Sequence, residues 1–231
     1  MSESLRNLDQ NNVLDDVRRA LGRSATLSPK PLERFIEPTI KADVAELITR
    51  FTVEATAVRA QVHRVADKLQ LVDRITEICA ENKGQEIALS GAELLGEIDL
   101  AAAFAARGFS TFVPGESAHE KLVARLANCG VGVTAADYAI AETGTIVLSS
   151  DELNALLVSL LPAVHIAVLR SSQILGTLDE VISKLRQQRI GGVDPSRSVT
   201  FITGPSRTSD VELVLSIGVH GPKELRVIIL D

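Results

Sequence analysis

Tryptophan is absent from this chain of 231 residues, tyrosine occurs once and phenylalanine six times. Single-stranded nucleic acids bind by stacking bases on aromatic platforms, so this scarcity argues against such a surface. A formal net charge of −6 points the same way, because it repels phosphate backbones. There are two cysteines, Cys79 and Cys129. Two distant thiols make neither a disulfide framework nor the ligand set of an iron–sulfur cluster. Each falls in an amphipathic stretch and is expected as a small core residue. No apolar run approaches the ~20 residues of a membrane-spanning helix. Met1–Gln10 is polar and lacks the apolar stretch of a secretory signal, so a cytoplasmic location is expected. No histidines stand at a spacing such as His-Glu-x-x-His, which disfavours zinc, and no metal site is expected. Gly-x-Gly-x-x-Gly, the Walker A loop and the Gly-x-Ser-x-Gly elbow are also missing, and with them the nucleotide and redox chemistry they support.

What remains is the composition of an ordinary globular protein, 45% apolar and 23% charged. Residues 8–21 have the pattern of a short helix that Gly22 ends. Ser24–Pro38 carries Pro29, Pro31 and Pro38 and reads as an extended linker. Residues 1–38 are thus expected to be a helical arm and linker, and 39–231 a single α/β domain.

Within that domain the period of the apolar residues alternates. Ile40, Val44, Leu47, Ile48 and Phe51 make one helical face; residues 58–65 alternate as a strand; Leu69, Val72, Ile75 and Cys79 mark another helix. Short apolar strands follow at 86–91 and 110–115, with helices at 99–107 and 119–128. This alternation predicts a mostly parallel, Rossmann-like open sheet covered on both faces. From residue 131 the rhythm changes: 131–149 reads as strand, turn, strand with no helix between, an added β portion. Strands at 165–170 and 225–231, an amphipathic helix at 178–189 and a short helix at 210–217 complete the expectation.

Two stretches have the composition of functional loops. The first is Ala141-Glu142-Thr143-Gly144-Thr145. Gly144 permits a tight turn, the hydroxyls of Thr143 and Thr145 can face a ligand, and a partly buried Glu142 could serve as general base or carboxylate nucleophile. The alternative is that Glu142 accepts hydrogen bonds from nearby backbone and stiffens the turn. The second stretch is Gly204-Pro205-Ser206-Arg207-Thr208-Ser209-Asp210, followed by Gly218-Val219-His220-Gly221-Pro222. Gly204 exposes backbone at a strand end, Ser206 and Thr208 add hydroxyls, Arg207 adds a positive fork and Asp210 can cap a helix. Such a strand, small-residue loop and helix start suit an anion. The alternative is a capped turn with a surface arginine. His220 lies between Gly218 and Gly221, where the backbone can bring the ring to a loop surface. The two stretches are expected to meet at the carboxyl end of the sheet, where open sheets bind ligands.

Three segments, DYAIAETGTIVL (137–148), TGPSRTSDVEL (203–213) and GVHGPKELRVIIL (218–230), resemble the lactate-utilisation protein C family, the LUD domain, over roughly residues 40–231. The resemblance implies a fold like the sugar-phosphate isomerase and CoA-transferase superfamily. It also implies an accessory role in bacterial oxidation of L-lactate to pyruvate, alongside iron–sulfur partner proteins. With two cysteines this chain holds no cluster of its own, so the electron-carrying centres belong to the partners. A small anion is the expected ligand, with Thr143, Gly144, Thr145, Gly204, Ser206, Arg207, Thr208, Asp210 and Gly221 around it, and Glu142 and His220 able to handle protons. Glu142-Thr143-Gly144 also resembles the Glu-x-Gly loop of CoA transferases. That resemblance suggests an alternative: an enzyme acting on a CoA thioester or a phosphorylated small molecule. The chain has no glycine-rich CoA-binding loop to accompany it.

Overall fold

Val164, Ile166 and Val168 pack into one apolar cluster, and Ala167 and Leu169 into another. This two-residue alternation marks a strand buried on both faces, and the central sheet is built from such strands. The computed structural model describes residues 16, 17, 19, 20, 22, 42–82, 86–114, 119–150, 153–190, 198–209, 215–218 and 221–231. The chain divides into two units, Met1–Ile36 and Glu37–Asp231. In the first unit Asp16, Val17, Arg19 and Ala20 are helical, with an Arg19–Asp16 ion pair at 2.9 Å.

In the second unit the strands are β1 Gln61–Val65, β2 Glu86–Leu89, β3 Ser110–Phe112, β4 Val131–Ala135, β5 Tyr138–Ile140 and β6 Thr145–Ser150. They continue with β7 Val164–Arg170, β8 Ile174–Leu175, β9 Ser198–Ile202, β10 Arg207–Ser209, β11 Leu215–Ile217 and β12 Glu224–Leu230. The helices are α1 Val44–Ala57, α2 Lys68–Glu81, α3 Glu93–Glu97, α4 Leu100–Ala105, α5 His119–Asn128, α6 Leu153–Leu160 and α7 Leu178–Ile190.

The central sheet has the order β1-β12-β7-β4-β2-β3, and every pairing in it is parallel. One face is covered by α2, α3 and α4, through Leu71, Ile75, Leu95, Leu100 and Phe104. The other carries α1, α5, α6 and a second sheet of order β8-β5-β6-β9. The mostly parallel α/β sheet with an added β portion is therefore the observed architecture. Cys79 and Cys129 are both buried, and burial pushes their thiols up to about 12 and about 11.

Two helix termini show how local sequence sets these elements. Asp67 opens α2 by accepting the Gln70 N–H at 2.9 Å. At the end of α1, Arg59 takes a left-handed φ of 69°. Its N–H donates to Thr56 O and the Ala60 N–H donates to Ala55 O, each at 2.9 Å. This is a Schellman ending with arginine where glycine is usual. It turns the chain directly into β1.

The 99–107 helix is α4, opened by Asp99, whose φ of 49° is left-handed and whose carboxylate accepts the Ala102 N–H. Two expectations change. The 131–149 segment is three strands, because the chain leaves β4 at Ala136–Asp137 and Asp137 Oδ2 then accepts the Ser149 N–H at 2.5 Å. A helix over 210–217 is excluded at its end, since 215–217 pairs antiparallel with 207–209 and that backbone is committed to a ladder; residues 210–214 lie outside the described residues. No described helix is long and apolar enough to cross a membrane.

Candidate functional site

The β5–β6 hairpin folds back along one face of the central sheet, so its turn at 141–144 returns to the level from which the parallel strands start. β9 runs antiparallel to β6, with Ile202 opposite Ile146, and it ends at that same level. The two loops singled out by composition therefore converge. Thr143 Oγ1 and Thr145 Oγ1 share a hydrogen bond at 2.7 Å, and Thr145 Oγ1 shares another of 2.7 Å with Thr203 Oγ1. Both loops also press on the end of α1. Gly144 and Gly204 have positive φ, 63° and 81°. A Cβ on Gly144 would overlap the backbone of Ala55, and one on Gly204 would overlap Val58 O. Close approach, as well as turn geometry, demands glycine at both positions.

Beside this junction lies a cavity of about 350 Å³, within the range of small-molecule sites. Its wall includes Thr203, Gly204, Pro205, Ser206, Arg207, Gly221 and Pro222, with His165 and Leu225 from the first residues of β7 and β12. The Ser206 N–H donates to Pro222 O at 3.0 Å and the Gly218 N–H donates to Ser206 O at 2.9 Å, which ties the two glycine-bearing segments together. Arg207 is exposed and pairs with no carboxylate among the described residues.

His165 is 1% exposed, and its Nε2 shares a hydrogen bond of 2.9 Å with the buried Thr134 hydroxyl. Burial holds its pKa down to about 3. The ring is neutral at physiological pH, with Nε2 held by Thr134.

The expected site residues thus divide. Gly204, Ser206, Arg207 and Gly221 line the cavity. Thr145 reaches its wall through Thr203, and Thr143 through Thr145. Gly144 holds the turn against α1. Glu142 is not part of the wall: its Oε1 accepts the Leu178 N–H at 2.9 Å, at the first residue of α7. The Thr208 backbone belongs to β10, opposite Ser216; its side chain, Asp210 and His220 lie outside the described residues.

The cavity sits at the amino edge of the parallel strands, not the expected carboxyl edge. The antiparallel return of β5–β6 and β9 carries both loops to the opposite end. His165 and Thr203 carried no site signal in sequence. A histidine inside the apolar run HIAVL, where an ionisable group is costly to bury, was the available hint.

Residues 48–230 match the family described as LUD domain. The chain belongs to the LUD-domain family. It is 30% identical over 189 residues to lactate utilization protein C 1 of Bacillus mycoides, covering 80% of each chain. It is 36% identical over 112 residues to lactate utilization protein C of Halalkalibacterium halodurans, 48% of this chain and 49% of that one. The fold is similar to that of a DUF162 family protein from Deinococcus radiodurans, with a TM-score of 0.59 and 24% identity over 82% of this chain and 99% of the other. Among the described residues this LUD domain has no group of three or more His, Cys, Asp or Glu placed to hold a metal.

Proposed function

We propose that this LUD domain serves bacterial L-lactate utilisation as a cytoplasmic accessory component. It acts with iron–sulfur proteins that carry the electron-transferring centres, and it binds a small carboxylate in the cavity at the amino edge of its sheet. The observation that carries the ligand reading is that the cavity lining holds both Arg207, which pairs with no carboxylate among the described residues, and a neutral, buried His165. A guanidinium fork matches a carboxylate in shape and charge. A neutral imidazole fixed by Thr134 offers a directional hydrogen bond to a hydroxyl or keto oxygen without adding charge. The Ser206 and Thr203 hydroxyls supply further polar contacts. A 2-hydroxy or 2-keto acid satisfies both ends of such a site. The names of the relatives, lactate utilization protein C, agree with that class of ligand. Glu142 is occupied at the start of α7 and stands apart from this wall, so the reading gives it no nucleophilic role.

The test is thermal unfolding of the purified chain with L-lactate, pyruvate, phosphate and acetyl-CoA. A ligand at 100 times its Kd stabilises the native state by about 2.7 kcal/mol. Stabilisation by lactate or pyruvate that disappears in Arg207→Ala is the expected result. No shift with either acid, or a shift that survives Arg207→Ala unchanged, would overturn the cavity assignment. Failure to co-purify any iron–sulfur protein from lactate-grown cells would overturn the accessory role.

A further inference from the structure

The apolar layer between the two sheets reaches the amino-edge cavity. Leu225, near the start of β12, belongs to the cluster that fills this layer, together with Ile146 and Ala167. Ile202, the last residue of β9, packs against the same cluster. Both residues also line the cavity. The cavity is thus an open end of the apolar layer as well as the place where the polar loops gather.

On the side of α6, Val158 and Leu161 pack into the cluster shared with α5. Leu160, the last residue of that helix, lines the cavity and is 38% exposed. Such a side chain gains by being covered with an apolar group. Ser159 beside it already directs its hydroxyl elsewhere, donating to Leu156 O at 2.7 Å.

Strand pairing relates the apolar lining to the polar one. Leu225 and His165 are partners in the parallel pairing of β12 with β7. They stand side by side on one face, on strands about 4.8 Å apart. In a 2-hydroxy or 2-keto acid one carbon carries both the oxygen and the substituent. An acid that gives its carboxylate to Arg207 and its oxygen to His165 therefore starts its substituent next to Leu225. The cavity also has room to spare. At the ~30 Å³ that a water takes up in the liquid, counted for each non-hydrogen atom, lactate fills roughly half of the cavity's 350 Å³.

We infer that the cavity takes a 2-hydroxy or 2-keto acid whose apolar substituent is longer than a methyl group, and that Leu160, Ile202 and Leu225 select for it. The inference rests on the carboxylate reading of the cavity given above and adds the substituent to it. Arg207 and His165 fix the head of the acid, and the three apolar side chains cover its tail. Lactate is the smallest member of this class and leaves the apolar lining uncovered.

Calorimetric titration of the full chain with L-lactate, L-2-hydroxybutyrate and L-2-hydroxyisocaproate, which carry methyl, ethyl and isobutyl substituents, tests it. Affinity should rise about fourfold for each added carbon that is buried, and at least about tenfold from the methyl to the isobutyl acid. Leu160→Ala should remove most of that gain and leave lactate binding nearly unchanged. Leu160→Met, which conserves volume and apolar character, should keep the gain. Arg207→Ala should weaken all three acids alike. Lactate binding that needs Arg207 but shows no gain along the series overturns this inference and leaves the carboxylate site standing. A gain that Leu160→Ala leaves whole overturns the assignment of the tail to this lining. No binding by any of the three acids overturns the carboxylate reading, and this inference with it.

Discussion

Thr145 and Thr203 lie 58 residues apart and touch through their hydroxyls at 2.7 Å. That bond joins the turn after β5 to the loop after β9, and through Thr143 it extends to a chain of three hydroxyls. It puts a loop with no cavity-lining residue of its own in register with one that supplies most of the wall.

Thr145 is buried and Thr203 exposed, so the two replacements should differ. Thr145→Val removes the middle hydroxyl of the chain and should cost about 1 kcal/mol or more, whereas Thr203→Val should cost less because water can replace it. A double-mutant cycle read by urea unfolding should give a coupling energy of about 0.5–1.5 kcal/mol. Strict additivity would mean the two loops are held by other contacts.

Gly144→Ala and Gly204→Ala should each destabilise by about 3 kcal/mol or more, since a left-handed backbone and a collision with α1 backbone act together. Gly91→Ala, where an added Cβ meets nothing within 4 Å, is the control and should change stability little. Midpoints of chemical unfolding at constant slope would separate them.

His165 links stability to pH. Its folded pKa, about 3, lies below the ordinary value of 6.5. Between those limits the unfolded chain binds a proton that the native chain refuses. Stability is therefore fully present above pH 6.5 and falls as the pH drops toward 3. His165→Gln keeps an amide partner for Thr134 and cannot titrate. Its unfolding free energy, measured from pH 7.5 down to 4.5, should decline less steeply than that of the parent. Equal slopes would mean that His165 takes up a proton in the native state.

Glu142 should behave as a cap. Its carboxylate receives the first N–H of α7, where negative charge also meets the positive end of the helix. Glu142→Ala is expected to cost about 0.5–1 kcal/mol in unfolding experiments and to leave binding of lactate or pyruvate unchanged. Loss of binding without loss of stability would return Glu142 to the ligand.

Most elements of the second unit were legible from periodicity alone. The apolar alternation along β7 and β12 and the helical faces of α1, α2 and α5 are local properties of 3.6- and 2-residue repeats. Misreadings fell where one sequence satisfies two periods. The stretch ending in Leu215–Ile217 reads as a helical face in isolation, and its pairing with Arg207–Ser209 makes it a strand.

The sequence by itself determined the family, the α/β class and the loops that carry small, hydroxyl and glycine residues, because these depend on residue type and short-range spacing. Tertiary structure alone decided that Thr145 meets Thr203, that His165 faces a cavity and that Glu142 caps a helix. It also decided that both loops gather at the amino edge of the sheet. Those placements follow from the reversal of β5–β6 and the antiparallel pairing of β9, contacts between residues tens of positions apart that no local pattern encodes.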